Sequence, residues 1–211
     1  MQTVSVIALG GTISCTPTDD SPGVQPTLSA QDMLGQYDLH DHPITIEPIT
    51  WSTRDSVEIT FDELIDLAVE VRRQYAAGAS GVVITQGTDT IEETVYALDL
   101  LLGSRHPVVV SGAMRDPSRA GADGAANLSA AIRVAADPVL NELGSVVVMN
   151  DEIHLARWVR KTHTANPAAF GSPAIGPVGW ISEDEVVVPV RPRLLDSFGL
   201  AAQKIPHKVP L

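Results

Sequence analysis

Cysteine is almost missing from this chain. Cys15 stands alone among 211 residues, which excludes an intrachain disulfide and any cysteine-built zinc site, and suits a reducing compartment. Lysine is nearly as scarce: of 14 basic residues only Lys161, Lys204 and Lys208 are lysines. Aromatic residues make up 4%, so the core has to be built from Val, Ile, Leu and Ala. The basic residues are outnumbered by 26 acidic ones, for a net charge of −12. That balance argues against nucleic-acid partners and against docking on an anionic membrane. No run of 18 apolar residues occurs and no basic segment precedes the strand-like opening, so neither a membrane span nor a secretory leader is expected, and the location read from this is cytoplasmic. The histidines, including His40 and His42 around Asp41, fall at no zinc-binding spacing, and no metal or cofactor is expected. A Gly-x-Ser-x-Gly nucleophile elbow is also lacking.

What is present is ordinary globular composition, 44% hydrophobic with 16 Gly and 15 Pro, at a length that fits one large domain. Short Val- and Ile-rich runs at 4–9, 82–85, 108–111 and 146–149 show little polar alternation, the pattern of parallel strands covered on both faces. Helical spacing fills 61–77, 90–102 and 121–136, the last ending before Asp137-Pro138. Strands alternating with helices predict an α/β, Rossmann-like, open and mainly parallel sheet with helices on both faces. Segments 151–158 and 176–190 read as a C-terminal β-hairpin addition to its edge. Residues 1–190 are therefore taken as one domain. Residues 191–211, with Pro192, Pro206 and Pro210, read as a linker.

In such sheets ligands bind where the strands end. The expected exits are Gly10-Gly11-Thr12, Gln86-Gly87-Thr88-Asp89-Thr90, Gly112-Ala113-Met114-Arg115 and Asn150-Asp151. Gly-Gly-Thr by itself is a turn. Asp89 is well placed to cap the helix that follows, with Glu92 as its capping-box partner. The same spot offers free N–H groups and a hydroxyl to an oxyanion or a carboxylate. Lys161 is either a solvated lysine in a basic run or a desolvated amine that takes a proton from a nearby hydroxyl, with Asp89 holding it in place.

Together these blocks resemble the N-terminal domain of the L-asparaginase family, which includes glutaminase-asparaginases. The matching pieces are Ala-Leu-Gly-Gly-Thr-Ile at 8–13, Thr-Gln-Gly-Thr-Asp-Thr-Ile-Glu-Glu-Thr at 85–94, Ser-Gly-Ala-Met-Arg at 111–115, Ala-Asp-Gly-Ala-Ala-Asn at 122–127, Val-Met-Asn-Asp at 148–151 and Lys161-Thr162. The resemblance implies release of ammonia from the side-chain amide of L-asparagine, with L-glutamine as the alternative amide. It implies Thr12 as nucleophile and Thr88, Asp89 and Lys161 as a second cluster in which Lys161 accepts the proton. Substrate would be held by Thr53, Arg54, Thr88, Asp89 and the backbone of Ala113. A homo-oligomer is expected, and so is a smaller second domain that the 211 residues do not reach.

Two positions depart from the family pattern. Val24 stands in Gly23-Val24-Gln25-Pro26 where the family often has a tyrosine, and a valine cannot polarise the Thr12 hydroxyl. Arg54 carries a charge where an amide is common, which affects side-chain selectivity. The competing readings are an ammonia-supplying amidotransferase subunit and a non-catalytic asparagine-binding module.

Overall fold

The computed structural model describes residues 2–17, 23–36, 44–183, 185–193 and 198. His40, His42 and nearly all of the expected linker beyond 193 lie outside the described residues. In chain order the elements are β1 (Gln2–Gly10), β2 (Cys15–Pro17), β3 (Val24–Pro26), α1 (Ala30–Gly35), β4 (Ile44–Arg54), α2 (Phe61–Ala76), β5 (Gly81–Thr85), α3 (Ile91–Leu102), β6 (Val109–Ser111), α4 (Gly124–Ala136), β7 (Val146–Met149), β8 (Glu152–Leu155), β9 (Arg160–Lys161), β10 (Phe170–Gly171), β11 (Gly179–Ser182) and β12 (Glu185–Val187).

Eight strands form one sheet in the order β12-β11-β8-β7-β6-β5-β1-β4. From β4 to β7 the pairs are parallel, whereas β8, β11 and β12 add antiparallel. The expected sheet and its C-terminal hairpin are both found. Taken in chain order the parallel strands run second-first-third-fourth-fifth, a doubly wound order whose switch point lies between β1 and β5.

Alternation along each strand feeds two cores. Val4, Val6 and Ala8 of β1, Val83 of β5 and Val109 of β6 pack with Ala30 and Met33 of α1 and with Leu128, Ala131 and Ile132 of α4. Ile7, Leu9, Val82, Ile84 and Val110 face Leu64, Leu67 and Val71 of α2 and Ile91, Val95 and Leu98 of α3. Both faces are covered, so these strands read as unbroken apolar runs. On the α2 side Ser5 interrupts β1 and is satisfied by donating to Gln74 Oε1 at 3.0 Å. The alanines of α4 let that helix lie so close that a Cβ on Gly81 would fall 1.9 Å from the Ala135 carbonyl oxygen.

Three elements differ from expectation. β4 is an 11-residue strand that the apolar-run criterion passes over. It is one of the two edge strands, mixes half-buried with exposed residues, and carries Pro48, which an edge tolerates. α4 begins at Gly124 rather than 121, because the preceding stretch turns back on itself through Arg119 N–H to Asp116 O and Ala122 N–H to Arg119 O. β7 and β8 are joined by only Asn150 and Asp151, with φ of 52° and 60°, the backbone of a two-residue hairpin turn that matches sheet twist.

On β8, His154 is fully buried. Its Nδ1 lies 3.1 Å from Ser172 Oγ and its Nε2 lies 3.2 Å from the Glu152 carboxylate. Burial lowers its pKa, and Glu152 offsets this only in part. The neutral ring is therefore favoured in the fold, so its stabilisation is complete above the ordinary value of 6.5 and is lost as pH falls below it. Thermal melts from about pH 7 down to about pH 5 are expected to fall more steeply for the native chain than for His154→Gln; equal slopes would refute this. Gly81→Ala is expected to destabilise by about 1–3 kcal/mol in urea titrations, since α4 has to move off the sheet.

Candidate active site

The two strands that flank the switch point end in tight turns pressed against each other. A Cβ on Gly11, whose φ is +79°, would sit 2.1 Å from the Gly87 nitrogen. Only glycine fits there, by conformation and by space. The next residue on each side carries a hydroxyl: Thr12 opens a 3-10 turn that continues to Ser14, and Thr88 opens another that continues to Thr90. The sheet order thus brings together the turns that carry Thr12 and Thr88, two residues 76 positions apart in sequence.

Lys161 comes from β9, a strand outside the eight-stranded sheet. Its Nζ donates to Thr88 Oγ1 at 2.9 Å and to Asp89 Oδ1 at 2.6 Å. The Lys161 side chain is 15% exposed, whereas that of Asp89 is 69% exposed, so the lysine is sunk beneath a carboxylate that faces outward. The two-stranded β9–β10 pairing, Lys161 opposite Phe170, fixes the lysine backbone. Glu92 on the first turn of α3 lies 3.7 Å from the Arg160 guanidinium, and burial raises its pKa.

The expected capping role of Asp89 is not what the structure holds. The cap position of α3 is Thr90, without a side-chain cap, and its hydroxyl donates instead to Ser56 O at 3.0 Å. The Asp89 carboxylate is engaged by Lys161. Gln86 is fully buried and braces the turn by donating to Gly87 O and Thr90 Oγ1, both at 3.3 Å.

Around this centre the structure places the other expected residues unevenly. Thr53 is exposed at the end of β4, next to the backbone of Gly10. The Arg54 guanidinium is paired with Glu63, the α2 residue that completes a capping box with Thr60. Its charge is thereby turned toward α2. Ala113 is 1% exposed in the loop after β6. Val24 lies in the β2–β3 hairpin, opposite Pro17, and brings no polar group. Cys15 lies three residues from Thr12, but burial, with Asp55 and Asp116 adding to it, pushes its thiol up to about 11. It stays protonated at neutral pH and is no nucleophile. Among the described residues no cluster of metal-ligating side chains occurs, and no helix is long and apolar enough to cross a membrane.

Asp123 and Asn127 are functional candidates that sequence reasoning misses, although both lie in one of the resemblance blocks. They hold the loop after β6 through four hydrogen bonds to its backbone. The signal available is an Asp immediately before a helix with an Asn four residues on, which reads equally as a cap.

The profile of the family described as "Asparaginase, N-terminal" matches residues 3–193. The chain is 34% identical over 186 residues to an L-asparaginase of Bacillus licheniformis, covering 88% of this chain and 58% of that protein. It is 46% identical over 106 residues to L-asparaginase 2 of Escherichia coli (strain K12), covering 50% of this chain and 30% of that one. Among solved structures, a probable cytoplasmic L-asparaginase from Campylobacter jejuni matches with a TM-score of 0.85 at 32% identity, over 92% of this chain and 60% of that chain. The chain spans about three-fifths or less of the length of these relatives. A profile match over nearly the whole chain and a shared fold at this identity establish that the chain belongs to the asparaginase family, whose N-terminal domain it carries.

Proposed function

We propose that this chain is the catalytic domain of an L-asparaginase, converting L-asparagine to L-aspartate and ammonia. The observation that carries the reading is Lys161 bonded at once to Thr88 and Asp89, beside the turn that presents Thr12. In this reading Thr12 Oγ1 attacks the side-chain amide carbon and gives up its proton. Lys161, reached through Thr88, is the proton acceptor. The C–N bond then breaks, the departing nitrogen takes a proton to leave as ammonia, and water hydrolyses the resulting threonine ester. Asp89, the exposed carboxylate, holds the substrate α-ammonium; Thr53 holds its α-carboxylate; the Ala113 peptide touches the reacting amide. Arg54 belongs to the wall of the site, since Glu63 takes its guanidinium. The scheme uses no metal and no cofactor.

A cytoplasmic location is part of the same proposal. The Campylobacter neighbour is named as cytoplasmic, while a relative from Haemophilus influenzae carries the name "Probable L-asparaginase periplasmic". Self-association is proposed as well, as the resemblance to the family implies.

The test is ammonia release from L-asparagine and L-glutamine by the purified protein, with Thr12→Ala and Lys161→Ala alongside. Each variant is expected to keep the native circular dichroism and to lose at least about a thousandfold in kcat. Activity that survives either change would overturn the assignment of that residue. Asparagine binding without turnover in the native protein would replace the enzyme by a binding module.

A further inference from the structure

Asp123 and Asn127 take no part in the chemistry above, yet their bonding departs from what their positions call for. An aspartate just before a helix ordinarily caps it by accepting an N–H from the first turn. Asp123 has φ −98° and ψ −6° and makes no such bond. Its carboxylate instead accepts the backbone N–H groups of Met114, at 3.0 and 3.1 Å, and of Arg115, at 2.9 Å. It also accepts from Asn127 Nδ2 at 3.0 Å.

Asn127, one helical turn on and 2% exposed, has every polar position engaged. Its Nδ2 donates to Gly112 O at 3.0 Å as well as to Asp123. Its Oδ1 accepts the Asn150 N–H at 2.9 Å, tying the β7–β8 turn to the loop after β6. Three backbone groups around Ala113 are thereby pinned: the carbonyl before it and the two N–H groups after it. On the opposite side the loop packs closely against the turn after β5. A Cβ on Gly112 would lie 2.6 Å from Gln86 O and 3.4 Å from the Thr88 methyl, and Gln86 N–H donates to Ser111 O at 3.1 Å.

We propose that Asp123 and Asn127 are positioning residues that clamp the 112–115 loop against Thr88 and so set the orientation of the Ala113 peptide toward the amide being cleaved. The last step rests on the asparaginase reading; the clamp itself does not. A misplaced peptide at the reacting group costs turnover more than binding, because the α-groups of the substrate are held elsewhere.

The test pairs amide hydrogen exchange with steady-state kinetics. Asn127→Asp keeps the shape but sets a carboxylate against the Gly112 carbonyl and Asp123. In Asp123→Ala and Asn127→Asp, the Met114 and Arg115 amides are expected to lose protection while those of Ile84 and Val110 keep theirs. In both, kcat on L-asparagine is expected to fall about 10–100-fold with KM changed less than about threefold. The double variant D123N/N127D exchanges the two groups. The amide then at position 123 donates to the carboxylate then at position 127 and still accepts from Met114 and Arg115, so this variant is expected to recover part of the kcat that Asn127→Asp loses. If Asp123→Ala does not fold, the other two variants carry the test. Retained protection at Met114 and Arg115, or native kcat once that protection is lost, would overturn the proposal. A native protein that never turns over asparagine would end the asparaginase reading alone, and the exchange data would still decide the clamp.

Discussion

The close approach of the turns at Gly11 and Gly87 is the constraint on which the rest of the site depends. The two parallel strands are adjacent but their connections leave in opposite directions, since β4 lies on one side of β1 and β6 on the other side of β5. The crevice between the exits is a product of topology, and the two glycines let backbone meet backbone across it. With any side chain at Gly11 the turns would have to separate, and Thr12 would leave the vicinity of Thr88. The covered faces of the sheet serve the same end. Both strands are buried on both sides, so neither can shift without opening a core, and the exits inherit that rigidity.

Helix ends divide along the same line. Away from the site, α1 is capped by Ser29 and α2 by a full capping box at Thr60. At the site, α3 and α4 begin with no side-chain cap, although Thr90 and Asp123 both have the chemistry for it. Each omitted cap forgoes about 1 kcal/mol. The polar groups that would have capped are committed to other loops: Thr90 to Ser56, Asp123 to Met114 and Arg115, and Asp89 just upstream to Lys161. Local rules fail where side chains are needed for geometry between elements, which is the pattern expected of a functional centre.

That division also explains what the sequence can and cannot disclose. The central strands are legible because two-sided burial removes polar residues from them, and α2 is legible to within one residue. The edge strand β4 is not, since one-sided exposure, Pro48 and its polar alternation erase the apolar-run signal. The start of α4 reads three residues early because the alanine-rich pattern continues upstream, while the turn bonds of Arg119 to Asp116 and of Ala122 to Arg119 hold that stretch out of the helix. Asp89 and Asp123 look alike in sequence, each an Asp at a helix start. Only tertiary placement shows that neither caps. Lys161 stands out by the scarcity of lysine and by the resemblance, whereas its contact with Thr88 spans 73 positions and no local pattern contains it.

Val24 gives these fixed contacts added weight. Valine offers no hydroxyl to polarise Thr12, and among the described residues the Thr12 side chain has no hydrogen-bond partner of its own. In the proposed reaction, activation of Thr12 then falls to groups mounted on strand exits: Thr88 on the β5 turn, Lys161 on β9, and the peptides after β6. Those groups gain their effect from being already in place, because a donor or acceptor that need not reorganise when charge develops stabilises it more than one that must. Gln86 under the Thr88 turn, the β9–β10 pairing behind Lys161, and Asp123 with Asn127 behind Ala113 each remove freedom from one such group. In that reaction the rate depends on how well these backbone-anchored positions are held.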